Sequence, residues 1–308
     1  MGARSQSRKG SLQFWPRKKA DKFLPRVNWG ALVSDGSGLL GFIGYKAGMK
    51  TAIVKDNTPN SMTKNKKISI PVTIIEVPPI KIYSVRFYKG QVIKEIIVDN
   101  SEKFLKRIVK LGKTGKVEEA GEAEDVRIIV YSVVSKTGIK KTPDLTEVGL
   151  AGSLDEKLKF IKEHIGKEIP ASEVLAGMKI VDIRGLTKGK GFSGPVKRFG
   201  IKLKSHKSEK GRRRPGSLGP WHPHHVIFRV PMAGQLGMFT RVAYNNPVIK
   251  IGKGAEIPVL KNFGKIRSEY VLLKGSVQGP QKRQVLLTSP LRINKIAKKI
   301  NYEFLELA

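Results

Sequence analysis

The chain is organised around residues 182–241, which begin DIRGLTKGKGFSG (182–194) and later read RRRPGSLGPWHPHH (212–225). Lysine, arginine, glycine and proline dominate this basic stretch, and Glu209 is the one acidic residue between Asp182 and Glu256. A globular surface normally mixes both signs of charge, so a stretch this one-sided requires a counter-charge from another molecule. We therefore interpret the basic stretch as a polyanion-binding surface and the rest of the chain as its scaffold.

The excess of positive charge extends to the whole chain. Its 308 residues include 59 Lys and Arg against 25 Asp and Glu, a formal net charge of +34. Repulsion on this scale opposes folding, and a bound nucleic acid would relieve it. An anionic membrane is the alternative, but membrane-surface proteins usually carry their charge on amphipathic helices, and the basic segments here are rich in Gly and Pro. Cysteine is absent, which excludes disulfides, zinc fingers and thiolate catalysis. No apolar run has the length of a signal sequence or a membrane span, so we expect a soluble, cytoplasmic protein.

The charge is unevenly distributed. Residues 99–182 contain 15 acidic and 15 basic residues, so the whole excess lies outside them. Periodicity predicts helices over residues 101–111 and 154–165, the second with a capping box formed by Ser153 and Glu156, and a strand over 127–134 between them. This region is predicted to be a neutral α+β insertion that faces solvent or protein.

Short apolar runs on either side of these segments predict β structure. Residues 68–74 alternate around Pro71, which indicates an edge strand or a bulge, and Lys89-Gly90 is a hairpin turn. After the basic stretch, short apolar runs at turn-like spacing predict further strands: 226–228, 242–244, 248–251, 257–260, 270–273 and 285–287. The last residues, from Arg292 onward, predict a short basic helix. One β-barrel interrupted by two insertions accounts for this order.

The sequence thus divides into six parts. They are a basic N-terminal arm (1–30), the first part of the barrel (31–98), the neutral α+β insertion (99–177), a barrel strand with the basic excursion (178–241), the second part of the barrel (242–290) and a C-terminal tail (291–308). The arm contains Phe14-Trp15-Pro16 among eight basic residues, with Asp21 as its single acid. It is either a disordered tail or an arm that orders on RNA, with Trp15 and Phe14 stacking on bases or filling a crevice.

The glycine-rich segment GKGFSG (189–194) matches the G-x-G-x-x-G pattern of dinucleotide sites. Such a site requires a helix directly afterwards and an acid about 20 residues further on, whereas Pro195, Lys197 and Arg198 follow here. There is no phosphate-loop match in this stretch and no kinase catalytic loop. The better interpretation is that glycine lets the main chain approach phosphates while the interleaved lysines neutralise them.

The histidines are concentrated in the same stretch: His206, His222, His224 and His225 are four of the five in the chain. A metal site or a nucleophile–base–acid triad would need clustered carboxylates or cysteines nearby, whereas the stretch has no cysteine and, after Asp182, only Glu209 as an acid. Stacking on bases or bonding to phosphate is the more plausible role. Trp221 lies between Gly219-Pro220 and His222-Pro223 with no apolar periodicity, so we expect it to be exposed to a ligand or RNA.

Residues in and around the basic stretch resemble the signature of the universal "L-three" family of large-subunit ribosomal proteins. The matching positions are Leu175, Asp182, Gly185, Thr187, Gly189, Lys190, Gly191, Gly194 and Arg198. The likeness continues through RPGSLG (214–219), WHP (221–223) and MAGQLG (232–237), and covers nearly the whole chain. SRKGSL (7–12) and residues 138–144 look like the archaeal or eukaryotic branch of the family.

The resemblance implies a mainly β fold with a six-stranded barrel of the translation-protein type and long basic extensions. It implies a structural constituent of the large subunit in cytoplasmic ribosomes, active in early assembly, without enzymatic activity, cofactor or metal. The expected partners are large-subunit rRNA and neighbouring large-subunit proteins, with no membrane and no small-molecule substrate. A long internal loop tipped by Trp221 is expected to reach toward the peptidyl-transferase centre.

The predicted rRNA-binding residues lie in the arm and the basic stretch. They are Arg4, Arg8, Lys9, Arg17, Lys18, Lys19, Arg184, Lys188, Gly189, Lys190, Gly191, Lys197, Arg198, Lys202, Lys204, His206, Lys207, Lys210, Arg212, Arg213, Arg214, Trp221, His222, His224, His225, Arg229 and Arg241. Two alternatives stay open: an RNA-acting enzyme that uses the histidines, against which the lack of clustered acids and cysteines weighs, and a free DNA-packaging protein.

Overall fold

The computed structural model of the chain describes residues 10–32, 38–117, 123–207 and 210–308, and in these ranges the fold is mainly β. The strands are β1 (Gly38–Leu39), β2 (Gly41–Asp56), β3 (Lys67–Val77), β4 (Ile80–Lys89), β5 (Gln91–Ile97), β6 (Asp125–Ser132), β7 (Leu145–Ala151), β8 (Ile180–Leu186), β9 (Phe192–Ser193), β10 (Gly234–Gln235), β11 (Thr240–Lys253), β12 (Glu269–Lys274), β13 (Gln284–Thr288) and β14 (Tyr302–Leu307). The helices are α1 (Leu154–His164), α2 (Ala171–Leu175), α3 (Pro195–Phe199) and α4 (Lys295–Lys299), with 3₁₀ turns at Trp29–Ala31, Leu105–Arg107, Val134–Lys136 and Gly254–Glu256.

The largest sheet has seven strands in the order β13-β8-β11-β12-β3-β2-β14. Strand β13 also pairs antiparallel with β2, from Gln284 opposite Tyr45 to Thr288 opposite Gly41. This extra pairing returns the order of strands to its start, so the sheet partly closes on itself.

A second sheet has five strands in the order β1-β7-β6-β4-β5. The hairpin predicted at Lys89-Gly90 is confirmed, because β4 and β5 flank Gly90, whose φ is 65°. Both strands pair within this second sheet, with β6 on the other side of β4. Strands β1, β4 and β5 of the predicted first part of the barrel therefore share a sheet with β6 and β7 of the neutral insertion, while β2 and β3 lie in the seven-stranded sheet.

The chain divides into two compact units. One, called here the excursion unit, comprises Met1–Lys22 and Leu186–Thr240. The other, called here the sheet unit, comprises Phe23–Gly185 and Arg241–Ala308. The main hydrophobic core lies in the sheet unit, where fully buried side chains such as Phe42, Ile128 and Leu286 belong to one cluster. Of the helices in the described ranges, none is both long and apolar enough to cross a lipid bilayer.

One of the two predicted helices of the insertion is confirmed. Helix α1 begins after Ser153, whose hydroxyl accepts the Glu156 amide while the Glu156 carboxylate accepts the Ser153 amide, as a capping box requires. The helix predicted over residues 101–111 is wrong, since a single 3₁₀ turn forms there. Leu105 is buried but Ile108 and Leu111 are exposed, so the segment lacks the continuous buried face that stabilises a short helix.

Of the strands predicted after the basic stretch, some are confirmed and others are wrong. Runs 242–244 and 248–251 form one long strand, β11, while 270–273 and 285–287 lie in β12 and β13. Runs 226–228 and 257–260 do not form strands, and Pro258 in the second run lacks the amide donor that a ladder needs. The predicted basic helix near the C-terminus forms only over α4, while Glu303 and Phe304, which the prediction included, lie in β14.

Pro71 lies in the interior strand β3, although proline was expected at an edge or bulge. Its carbonyl accepts the amide of Gly275, directly after β12 ends at Lys274. The Pro71 nitrogen, which carries no hydrogen, points to this same side of β3. Because β12 has already ended there, no β12 carbonyl is left without a donor. Proline is tolerated here because the neighbouring strand stops.

Candidate nucleic-acid interface

The excursion begins with two paired segments, an outgoing limb (residues 187–193) and a returning limb (residues 234–239), which are joined by backbone hydrogen bonds. The amide of Thr187 donates to Phe239 (3.0 Å), that of Lys190 to Leu236 (2.9 Å), and that of Leu236 to Gly191 (2.9 Å). Strands β9 and β10 extend the pairing. Gly237 has a φ of 77°, and a Cβ there would collide with the carbonyl oxygen of Lys188. Gly237 therefore lets the two limbs lie close together.

Helix α3 follows β9 and anchors the returning limb. Pro195 occupies its first turn, and Gly200 ends it in the left-handed conformation. From this helix the Arg198 guanidinium donates to the carbonyls of Gln235 (3.0 Å) and Met232 (2.9 Å). Burial lowers the pKa of Arg198 from its usual value. Its donors are thus used to hold the two limbs of the excursion in place.

The described part of the N-terminal arm packs on this helix. The Trp15 ring lies 6.4 Å from that of Phe199 and 5.4 Å from that of Phe228. The Arg17 guanidinium lies 4.3 Å from the centre of the Phe199 ring and donates to the Arg198 carbonyl (3.4 Å). The amide of Ala20 also bonds to the carbonyl of Met238 (3.0 Å). Trp15 is therefore half-buried against aromatic rings of the same unit.

The outer part of the excursion, residues 201–207 and 210–233, has no helix or strand in its described residues. Most of the predicted binding residues of the excursion unit are exposed: Lys18, Lys19, Lys188, Gly189, Lys190, Gly191, Lys197, Lys202, His206, Lys207, Lys210, Arg212, Arg213, Arg214, Trp221, His222, His224, His225 and Arg229. Arg17, Arg198 and Lys204 are half-buried. Asp21 is the one acidic residue among the described residues of this unit.

The remaining predicted residues lie elsewhere. Arg184 and Arg241 belong to the sheet unit and are half-buried, with Arg184 donating to the Thr288 hydroxyl (3.4 Å). Arg4, Arg8 and Lys9 lie outside the described residues. The structure thus gathers most of the predicted set on the excursion unit and leaves two cations at the ends of β8 and β11.

An aromatic and imidazole group occupies the far part of the excursion. Trp221 is 77% exposed, and its ring meets that of His224 edge-on at 4.8 Å. The His222 ring lies 4.9 Å from that of His224. In the described ranges, no group of three or more His, Asp or Glu side chains is arranged to hold a metal ion. This group instead offers flat ring surfaces on which a base can stack.

Sequence reasoning missed one exposed aromatic side chain. Phe192 in β9 is 81% exposed and follows Lys188 and Lys190 directly along the limb. An aromatic ring among lysines is the pattern of a base-stacking platform. The signal was present in the sequence, since a phenylalanine flanked by glycines and lysines has no apolar neighbours with which to form a core.

A mainly β scaffold that carries an exposed segment of almost uniformly positive charge, with aromatic and imidazole rings among the cations, belongs to the class of basic nucleic-acid-binding proteins. Comparison with known proteins identifies the family. The family described as ribosomal protein L3 matches residues 1–110 and 113–306, and the chain belongs to that family.

Relatives of similar length support this membership. The large ribosomal subunit protein uL3 of Archaeoglobus fulgidus is 41% identical over 305 residues, covering 92% of each chain. Its counterpart in Methanothermobacter thermautotrophicus is 38% identical over 331 residues, covering 98% of this chain and 97% of the relative. That of Methanocaldococcus jannaschii is 39% identical over 310 residues, covering 94% and 92% respectively. The similarity to archaeal proteins agrees with the branch that the sequence indicated.

Proposed function

We propose that the chain is a structural, non-enzymatic component of the large subunit of cytoplasmic ribosomes, and that it binds large-subunit rRNA through its excursion unit. Family membership and near full-length similarity to proteins named large ribosomal subunit protein uL3 support the assignment to the subunit. The observation that carries the binding role is the charge of the excursion unit, whose exposed cations face a single acid, Asp21, among its described residues. Phosphate is the counter-charge that such a surface requires.

The excursion unit divides its cations between two tasks. Exposed residues such as Lys188, Lys190, Arg213 and Arg214 neutralise phosphates. Arg17 and Arg198 (with Trp15) hold the arm, α3 and the returning limb together, since their guanidinium groups donate to carbonyls of the chain. We assign these two arginines chiefly to shaping the surface that the other cations present.

Aromatic rings add contacts to bases. Trp221 with its neighbouring histidines, and Phe192 nearer the base of the excursion, provide two exposed stacking surfaces. The family resemblance supports a position of Trp221 toward the peptidyl-transferase centre, where the side chain would influence tRNA binding without taking part in chemistry.

The sheet unit serves as the scaffold. We propose that β13, β8, β11, β12, β3 and β2 form the six-stranded barrel of the translation-protein type, because their pairing order returns from β2 to β13. We also propose that the five-stranded sheet, which includes β6 and β7 of the neutral insertion, meets neighbouring large-subunit proteins. Its charges are already paired internally, for example Arg127 with Asp125 and Glu147, so it has little need of a polyanion.

Fractionation of a cell lysate tests the assignment. The tagged chain is expected to co-sediment with large subunits and their precursors, and its absence from those fractions would contradict the proposal.

Two tryptophan substitutions test the role of Trp221. Trp221→Ala should change the free energy of unfolding of the purified protein by less than about 0.5 kcal/mol, as exposed positions do, while it impairs translation or A-site binding in ribosomes that carry it. The matched control is Trp29→Ala, which removes a buried ring and should cost about 3–5 kcal/mol. Equal destabilisation by both variants would place Trp221 in the core.

A further inference from the structure

The loop between β2 and β3, in the sheet unit, is held rigid from within. Asp56 is buried at its base, and its carboxylate accepts the Thr58 amide (2.9 Å) and the hydroxyls of Ser61 (2.7 Å) and Thr63 (2.5 Å). These hydrogen bonds hold the pKa of Asp56 well below its usual value. The carboxylate therefore stays charged and keeps the loop in one conformation.

The same loop is tied to the C-terminal segment. The Asn57 amide donates to the Asn301 carbonyl (2.9 Å), and the Asn301 amide donates to the Thr58 hydroxyl (3.1 Å). The Asn57 side chain also donates to the Glu303 carboxylate (3.1 Å). Helix α4 precedes this junction and is capped by the Asn294 side chain, which accepts the Ile296 amide (3.0 Å). The loop and the segment around α4 therefore present one continuous surface.

This surface carries seven exposed cations that lack an ion-pair or side-chain hydrogen-bond partner in the described part of the chain. They are Lys64, Lys66, Lys67, Arg292, Lys295, Lys298 and Lys299. Few acidic residues lie close to these cations. Asp56 accepts hydrogen bonds within the loop, and Glu303 accepts one from Asn57 and lies opposite Lys55 in the β14–β2 pairing. Glu306 is the one further acid in the segment.

In and beside the five-stranded sheet, by contrast, cations form ion pairs with acids of the chain. Arg86 pairs with Glu95 and Glu147, and Lys157 pairs with Asp125. Over the neutral insertion as a whole, acids balance bases, with 15 of each in residues 99–182. The β2–β3 loop and α4 are ordered but lack such acids, which indicates that their counter-charge comes from outside the chain.

We propose that the β2–β3 loop and α4 form a second RNA-binding surface, built on the sheet unit and directed at the phosphate backbone of rRNA. This proposal rests on the proposed function. Six of its seven cations are lysines, which neutralise phosphate as point charges without reading bases. Lysine is depleted in protein–protein interfaces, so an rRNA backbone fits the surface better than an acidic protein does. Rigidity of the loop lowers the entropic cost of each contact.

Lysine acylation of the wild-type chain, read by mass spectrometry, tests the proposal directly. The full chain is labelled alone and in complex with an in-vitro transcript of archaeal large-subunit rRNA. Lys64, Lys66, Lys67, Lys298 and Lys299 should be protected in the complex to the same extent as the excursion lysines, with reactivity falling severalfold. The internal controls are Lys103, Lys106 and Lys110, which are exposed on the neutral insertion and should react equally in both samples.

The outcomes separate the two proposals. If the excursion lysines are protected while Lys64, Lys66 and Lys67 react as readily as Lys103, the second surface does not bind RNA and the proposed function stands. If the excursion lysines are also unprotected, the proposed function itself fails, and the second surface with it.

A variant pair gives a second, quantitative measurement. Replacing Lys64, Lys66 and Lys67 together by Gln should lower the slope of log affinity against log salt by about 2–3, since each lost phosphate contact removes about 0.7–0.9. Replacing Lys103, Lys106 and Lys110 by Gln should leave the slope unchanged. Equal slopes for both triple variants would overturn the proposal.

Discussion

Removal of the Asp182 side chain should strongly destabilise the sheet unit. The side chain is completely buried, and its two carboxylate oxygens accept the backbone amides of Asn245 (2.7 Å) and Leu291 (3.0 Å). It thereby connects the beginning of β8 to strand β11 and to the segment after β13. We predict that Asp182→Ala strongly destabilises the free protein, although Asp182 touches no proposed RNA contact.

The expected loss in the free energy of unfolding follows from the two backbone amides that the substitution leaves without an acceptor. Each buried amide deprived of its acceptor costs about 1–3 kcal/mol. The Asn245 amide is half-buried, and Leu291 is exposed, so water can partly replace the second bond. We therefore expect a loss of about 2–4 kcal/mol for Asp182→Ala. Asp182→Asn should lose about half of that, because its amide keeps one acceptor and turns a donor toward the other amide.

Urea unfolding followed by circular dichroism measures this loss. The matched control is Glu163→Ala, which removes an exposed carboxylate from α1 and should change the free energy of unfolding by less than about 0.5 kcal/mol. If Asp182→Ala unfolds at the same urea concentration as Glu163→Ala, the two hydrogen bonds do not stabilise the fold and the reasoning is refuted.

Three other substitutions test local features of the fold. Ser153→Ala should cost about 0.5–2 kcal/mol in urea unfolding, because it removes the cap of α1, and an unchanged midpoint would show that the capping box is unimportant. Gly237→Ala should lower the protection of the Lys190 and Leu236 amides against hydrogen exchange, since the new Cβ collides with Lys188. Gly216→Ala, where a Cβ meets nothing within 4 Å, is its control, and equal protection in both variants would contradict the steric argument. Asp56→Asn should destabilise the protein at neutral pH but progressively less below about pH 4. The lowered pKa means that the ionised carboxylate stabilises the fold above its unfolded value of about 4, and that this contribution is lost as the pH falls below it. A difference that does not vary with pH would contradict this role.

Local signals in the sequence predicted individual elements well. The capping box at Ser153 and Glu156, the turn at Gly90 and the alternation around β3 each depend on neighbouring residues, and all three form as expected. The mainly β class and the family also followed from the residues themselves, the latter from a long gapped signature around the basic stretch.

Features that depend on tertiary contacts were harder to predict. The segment 101–111 has helical spacing, but the fold buries Leu105 alone among its apolar residues named above. Strand β14 was missed because its alternation is short and its partner, the outer half of β2, lies about 250 residues earlier in the chain.

For the candidate site, the sequence indicated which residues are cationic but not which of them form bonds within the chain. Charge identified the excursion, and the structure places most of its cations on the surface. Sequence alone could not show that Arg17 and Arg198 donate to carbonyls within the chain, because a guanidinium that binds phosphate and one that binds a carbonyl have the same sequence. The sequence also did not indicate a role for the lysines of the β2–β3 loop. Their significance depends on the C-terminal segment that packs beside the loop.

The central claim is that the excursion binds rRNA through exposed cations that contribute nothing to folding. The most direct measurement is the salt dependence of binding to an in-vitro transcript of archaeal large-subunit rRNA, comparing the wild-type chain with Arg213→Gln/Arg214→Gln. Both side chains are exposed, so the slope of log affinity against log salt should fall by about 1.4–1.8 while the free energy of unfolding stays within about 0.5 kcal/mol of wild type. An unchanged slope, or a loss of stability that accounts for the weaker binding, would contradict it.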